Sequence, residues 1–428
     1  MTTAALPMDV LRRASTELPN DRLTPVREAA LARLQESGLP TTRHENWKYT
    51  DLSGAIEVAE RALEAGSDSR GADSVQQEID AVRNTIDAHW LVIANGRITG
   101  ETPPDLQAAG VEVVRFSESS AIPSIDEPLA ALNAALLEDG LFIRIADGAD
   151  IDKPIAILVI DDADTTPRMS QVRVAIELAP DSHAQFVEYH LSSGAAEHYS
   201  NTVIDLTLAD NASVEYLRIQ NRSLNHSQTE RMNVQLGCDS RLCHCGFDLG
   251  GKLSRNDLHI DIVGAGANAS FNGLFLAGDG QHIDNHTRVD HRVGPARSTQ
   301  EYRGVLSGAC RGVWNGKVIV HAGADGTDAQ QTNHNLLLSE KSEIDAKPEL
   351  EIYADDVKCS HGTTIGQLDE AALFYLRSRG IDLRHARQML IHAFGTSIVS
   401  KSPLPSVAEL LREMVEARLN ELVASDAK

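Results

Sequence analysis

The sequence predicts a mainly β protein whose core is a β-helix, and three observations carry that expectation. First, a turn-then-strand unit recurs as PDSHAQFVEYH, ADNASVEYLRI, CDSRLCHCGFD and AGANASFNGLFLA. Second, Ala184, Ala212, Arg241 and Ala269, aligned just after each turn, stand 28, 29 and 28 residues apart; a fixed period of about 20–50 residues marks a solenoid. Third, each period holds only strand pattern and Gly/Asn/Asp turns, so one unit buries its apolar face only by stacking on the next. Beyond Ala269 the spacing loosens, yet SGACRGVWNGKVIVHAG and EKSEIDAKPELEIYAD keep the same grammar. A β-sandwich is the structural alternative, and it would give irregular spacing.

The flanks differ in texture. Residues 1–150 read as an N-terminal helical and α/β region. In it Thr24 caps and Pro25 opens a helix through VREAALARLQESG that Gly38 closes. Ala65 to Asp80 is polar with few apolar anchors and reads as a linker. HWLVIANGRITG, Val111 to Phe116 and LFIRIADG supply short strands around the helical LAALNAALLEDG. Residues 151–366 form the β-helix core, and 367–428 are helical. In the last segment LDEAALFYLRSRGI ends at a glycine, LRHARQMLIHAF follows, and Ser406 to Glu409 makes a capping box. Val407, Leu410, Leu411, Met414, Leu419 and Leu422 then form an apolar stripe. It either packs on its own solenoid or offers a docking face, and the pattern leaves both open.

Composition narrows the function classes. The chain carries 39 basic and 62 acidic residues, a formal charge of −23. Such a surface repels nucleic acid and anionic membranes, and no basic patch offsets it. No run reaches the roughly 18 apolar residues of a membrane span. The start, MTTAALPMDVLRRASTELPND, lacks a basic stretch followed by an apolar one, so a cytoplasmic chain is expected. Its five cysteines fit reduced thiols rather than a disulfide framework.

Several groups of residues invite a chemical reading. GFDLGGKLS, Gly246 to Ser254, nearly spells a phosphate-binding loop. However, Leu253 stands where a magnesium-binding hydroxyl belongs, and no helix follows to aim its N-terminus at phosphate. Cys238, Cys243 and Cys245 are the densest thiol group, but Cys243 and Cys245 share one strand face while His244 turns away. That arrangement falls short of four zinc ligands. His282, Asp284 and His286 sit at i, i+2 and i+4 and imitate a facial metal triad, which makes a metal-dependent β-fold enzyme the alternative function. Polar ladders of this kind also hydrogen-bond simply to the neighbouring rung. Finally, if Val357 to Thr363 is a strand, Cys359 and His361 present a thiol and an imidazole on one face, half of a soft-metal site. On spacing alone the plainer reading is a buried thiol beside a histidine that bonds the following Gly-Thr-Thr turn.

The run from Asp284 to Ile381 does more than suggest chemistry. DNHTRVDH followed by YRGVLSGACRGVWNGKVIVHAGADGTDAQQTNHNLLLSEKSEIDAKPELEIYADDVKCSHGTTIGQLDEAALFYLRSRGI resembles the SufB/SufD family of iron–sulfur cluster assembly proteins over about a hundred residues. RHENWKYTDL, Arg43 to Leu52, resembles the hallmark of the SufD side of that family, and the length suits it too. The resemblance implies a right-handed parallel β-helix between helical regions, and a scaffold rather than an enzyme. It implies pairing with a SufB-like paralogue through the β-helix and docking of a SufC-like ATPase on Leu368 to Leu422. ATP is then hydrolysed by that partner, with no nucleotide bound by this chain; a homodimer is the pairing considered for the isolated chain. The resemblance further implies that His361 contributes to a transient nascent cluster shared with SufB, beside Cys359, whose need is less clear.

Overall fold

The computed structural model describes residues 6–66, 75–119 and 121–426. The N-terminal part carries helices α1 (Met8–Thr16), α2 (Thr24–Ser37), α3 (Ser53–Ala65), α4 (Gln76–Arg83), α5 (Pro104–Ala108) and α6 (Pro128–Ala135). Among them lie strands β1 (His89–Ala94), β2 (Arg97–Thr99), β3 (Val111–Arg115) and β4 (Leu141–Ile145). Part of the polar stretch expected as a linker falls at 67–74, outside the described residues. Its end, Gln76 to Asp80, is helical instead, because Ile79 and Val82 of α4 are buried in the apolar layer that covers one sheet.

From β5 (Asp150–Asp162) onward every regular element to residue 366 is a strand. These are β6 (Arg168–Leu178), β7 (His183–Ser193), β8 (His198–Leu208), β9 (Ser213–Asn221), β10 (His226–Leu236), β11 (Arg241–Asp248) and β12 (Leu253–Ile262). They continue as β13 (Asn268–Ala277), β14 (His282–His291), β15 (Arg297–Leu306), β16 (Arg311–Val320), β17 (Asp328–Leu337), β18 (Glu343–Ile352) and β19 (Lys358–Gly366). Odd strands stack in one sheet, in the order β19-β17-β15-β13-β11-β9-β7-β5-β1-β2. Even strands stack in the other, β18-β16-β14-β12-β10-β8-β6-β4-β3. From β5 and β6 onward all pairings are parallel, whereas β2 and β3 close the first end in antiparallel fashion. The chain is therefore a parallel β-solenoid.

The repeat seen in the sequence is real, but its register differs. Ala184 pairs with Val214, Val214 with Leu242 and Leu242 with Ala269, giving turns of 30, 28 and 27 residues. What recurs is the turn: Asp181, Asn211 and Asp239 all adopt a left-handed conformation, followed by Gly266 in the same role. Asn, Asp and Gly tolerate positive φ, so they mark the corner whatever the turn length.

Both sheets are covered outside. On the odd sheet, Tyr189, Leu217, Ile219, Cys245, Phe247 and Leu274 meet α4 and two of the C-terminal helices, α8 (Leu383–Thr396) and α9 (Ala408–Asp426), while α7 (Glu370–Ser378) precedes them in the chain. Val407, Leu411, Leu419 and Leu422 of the C-terminal stripe are buried in this layer. Each such side chain contributes about 1.5–3 kcal/mol on burial, so α9 is integral to the solenoid. The first rungs of the even sheet lie under α1, α2, α3 and α6, with Tyr199 and Leu253 in that second layer.

Candidate functional site

The solenoid ends on β18 and β19, and each pairs with a neighbour on one side only among the described residues. In β17 the inward side chains Ala329, Gln331 and Asn333 are buried. Directly above them in register lie Cys359, His361 and Thr363 of β19. Cys359 and His361 therefore face the lumen side by side, as the strand period requires. Being on the last rung, His361 is exposed, while Cys359 is half-buried against the apolar core. Burial pushes the Cys359 thiol up, away from its metal-binding thiolate form. The two residues join no group of three ligand side chains among the described residues. Around this end the apolar Tyr353 is 62% exposed and Ile365 51% exposed.

The triad-like residues of β14 meet a different fate. Asp284 is fully buried and lies 2.6 Å from the Arg255 guanidinium, with His286 Nε2 3.0 Å away. Thr50 Oγ1 donates to Asp284 and sits 2.9 Å from His282 Nε2. Burial opposes ionisation of Asp284, but Arg255 and His286 hold its carboxyl far below the usual range. The guanidinium thus supplies the counter-charge that a metal would bring, and the residues form a structural ladder.

The sequence motif RHENWKYTDL explains that ladder. Trp47 lies under the Arg255 guanidinium, 3.9 Å from ring centroid to carbon, and Tyr49 faces Arg311. Glu45 pairs with Lys347 at 2.8 Å. One short segment therefore straps β12, β14, β16 and β18 on the outer face of the even sheet.

Two further groups are placed. Cys245 is buried under the C-terminal helices and Cys243 is half-buried beside it, while Cys238 is exposed in a turn and His244 points inward onto Tyr216. The glycine-rich stretch near Lys252 is a turn between two strands.

What sequence reasoning missed is a charged network inside the first rungs. Arg222 bonds Asp161 at 2.5 Å and His190 Nδ1 at 3.1 Å; His190 Nε2 is 2.6 Å from Glu188. Tyr216 donates to Glu188 at 2.8 Å, and Arg218 bonds Glu230 at 2.6 Å and Asp248 at 2.9 Å. Burial raises the carboxyls of Glu188 and Glu230 and lowers His190 to about 3, so the histidine is neutral. The available signal was a polar or charged side chain at every second position of FVEYH and of YLRIQNR, Glu188, His190, Arg218, Gln220 and Arg222.

Comparison with known proteins agrees with this architecture. Residues 159–394 match the family described as SUF system FeS cluster assembly, SufBD core domain. The chain is similar to the iron–sulfur cluster assembly protein SufD of Escherichia coli, 30% identical over 96% of each chain. It is also similar to a SufBD family protein of Synechocystis, 30% identical over 92% of this chain and 90% of the relative. The SufD of Bacillus subtilis is 24% identical over 92% and 93%. With the solenoid, the matched core and a relative similar along nearly its whole length, the chain belongs to the SufB/SufD family of SUF-system iron–sulfur cluster assembly proteins, on its SufD side.

Proposed function

We propose that this chain is the non-enzymatic SufD-side scaffold of a cytoplasmic SUF assembly complex. It pairs with a SufB-like paralogue through the β18–β19 end and contributes His361 to a nascent cluster shared across that interface. The observation that carries this reading is the position of His361: inward-facing, exposed, and on the last rung, whose outer strand edges are unpaired among the described residues. A free edge is a template for another strand. A cysteine thiolate from the partner with the imidazole from this chain makes a cluster site that opens when the subunits part, and imidazole leaves readily once protonated. Cys359 is a neighbour of lesser importance, its thiol held neutral.

The three-part division into 1–150, 151–366 and 367–428 follows function on this reading, with the last part docking a SufC-like ATPase. The docking face is narrower than the whole segment, because α9 is spent on the solenoid. It is α7 and α8 that expose apolar side chains: Phe374 is 74% exposed, with Tyr375, Leu383 and Met389 also exposed. Removing everything from Leu368 would uncover the odd sheet, so surface substitutions test the docking more cleanly.

The experiment is co-purification and cluster assembly in cells. His361→Ala is expected to impair assembly while the complex with paralogue and ATPase stays intact, and Cys359→Ser is expected to matter less. Phe374→Ser with Tyr375→Ser is expected to release the ATPase alone. Equal, negligible effects of His361→Ala and Cys359→Ser would remove the site, and a wild-type chain that captures neither partner would remove the scaffold reading.

A further inference from the structure

At the opposite end of the solenoid three ligand-type side chains converge. Asp161 is the penultimate residue of β5, His198 opens β8 and His226 opens β10. The two histidines occupy the same register position on adjacent strands, their rings stacked 4.5 Å apart at 12°. His198 Nε2 is 3.5 Å from Asp161 Oδ1, and His226 Nε2 is 3.9 Å from Oδ2. One donor atom from each residue lies within 4.8 Å of the other two, and all three side chains are buried.

The protein leaves this cluster incompletely satisfied. Asp161 Oδ1 is buried without a hydrogen-bond partner, and the histidine Nε2 atoms beside it are hydrogen-bonded only to the hydroxyls of Ser170 and Ser200, at 3.1 and 3.0 Å. An orphaned buried polar atom costs about 1–3 kcal/mol, so a carboxylate oxygen left unpaired beside two imidazoles calls for an explanation. A Ser-His-Asp relay does not provide it. Ser170 Oγ lies 3.1 Å from His198 Nε2, the same nitrogen that faces Asp161, so no proton can pass through the ring from one to the other.

We propose that Asp161, His198 and His226 form a buried site for one divalent transition-metal ion. Two imidazole nitrogens and a carboxylate oxygen suit Fe2+, Co2+ or Zn2+; calcium and magnesium call for more oxygen. Arg222, bonded to Asp161 Oδ2, orients the carboxylate and leaves Oδ1 for the ion. Access is through a cavity of about 400 Å³ against the N-terminal helices, lined by His198, Ser170, Gln171 and Met169. Binding turns one imidazole out of the stack so that both Nε2 atoms meet the ion. The competing surface group, His259, Asp261 and Asp290, is already neutralised by Arg288 and Arg292 at 2.5 and 2.7 Å. The site lies many rungs from His361 and does not depend on the role proposed for it.

The test uses the purified full chain, stripped with a chelator and titrated with Co2+, then Zn2+. One Co2+ per chain is expected, with visible bands of nitrogen and oxygen ligation and no sulfur charge-transfer band; Zn2+ should displace it and raise the melting temperature. His198→Gln with His226→Gln should weaken Zn2+ binding by at least about 100-fold, while His259→Ala and His361→Ala leave it unchanged. A wild-type chain that retains no ion, a sulfur band, or full retention by the double variant would overturn the site, as would loss of the ion in His259→Ala. If the double variant does not fold, the wild-type Co2+ spectrum decides.

Discussion

The two ends of the solenoid are finished in opposite ways. At the first end, antiparallel β2 and β3 stop the stacking, helices lie over the rungs, and the lumen is filled by buried ion pairs among Arg218, Arg222, Asp161, Glu230 and Asp248. At the last end, β18 and β19 carry edges unpaired among the described residues, and His361 is inward-facing yet exposed. The same inward register thus gives an internal side chain at one end and an available ligand at the other. What separates them is only whether another rung or helix follows.

That contrast is broken or sharpened by four measurements. Arg218→Ala should have the largest effect, because it strands Glu230 and Asp248 without their cation; chemical unfolding is expected to show a loss of about 3–5 kcal/mol. A loss under about 1 kcal/mol would mean the first end is as permissive as the last. Leu419→Ala, which removes a fully buried side chain packed against Gly395 of α8, should lower stability by about 2–5 kcal/mol in the same assay.

The third measurement uses pH. His190 and His244 are lowered to about 3, and His198 and His291 to about 4, chiefly by burial. Between those values and about 6.5 the unfolded chain binds more protons than the folded one, so stability falls as pH drops through that window. Glu188 and Glu230 act in the opposite sense, because their raised carboxyls take up protons first in the folded state. A melting temperature that falls between pH 7 and 5 is expected, and His244→Phe should flatten the slope by up to about 1.4 kcal/mol per pH unit. An unchanged slope would show that His244 is not held neutral. The smallest effect is His361→Ala, expected within about 0.5 kcal/mol of wild type. Destabilisation comparable to Arg218→Ala would show that the last rung is no open end.

Much of this architecture was legible in the sequence, and the misreadings share one physical origin. Turn residues marked each corner correctly, but the intervals between them vary, so counting alone paired Ala184 with Ala212 rather than Val214. In FVEYH, alternation by itself would turn Val187 and Tyr189 inward and Glu188 and His190 to water. The reverse occurs because α4 and α9 cover the outer face, leaving it apolar, while the charged residues pair inside. A single-sequence pattern shows two faces but not which of them is covered. At the last rung that ambiguity disappears: the strand and the shared face of Cys359 and His361 follow from period two. Yet the exposure of His361 depends on what comes after it in space. At His282, Asp284 and His286 the polar ladder was the expected reading and the metal triad the alternative; the partners Arg255 and Thr50, which come from distant segments, could not be read from the spacing.

The strap that joins Glu45 to Lys347 spans 302 residues of chain. A ribosome adding about 5–20 residues per second makes its two ends tens of seconds apart. Rungs can zip up one after another as they emerge, but Glu45, Trp47 and Thr50 can take their final seats only once β12 through β18 exist. The segment made among the first is thus among the last to dock, and its docking signals that the solenoid has reached full length.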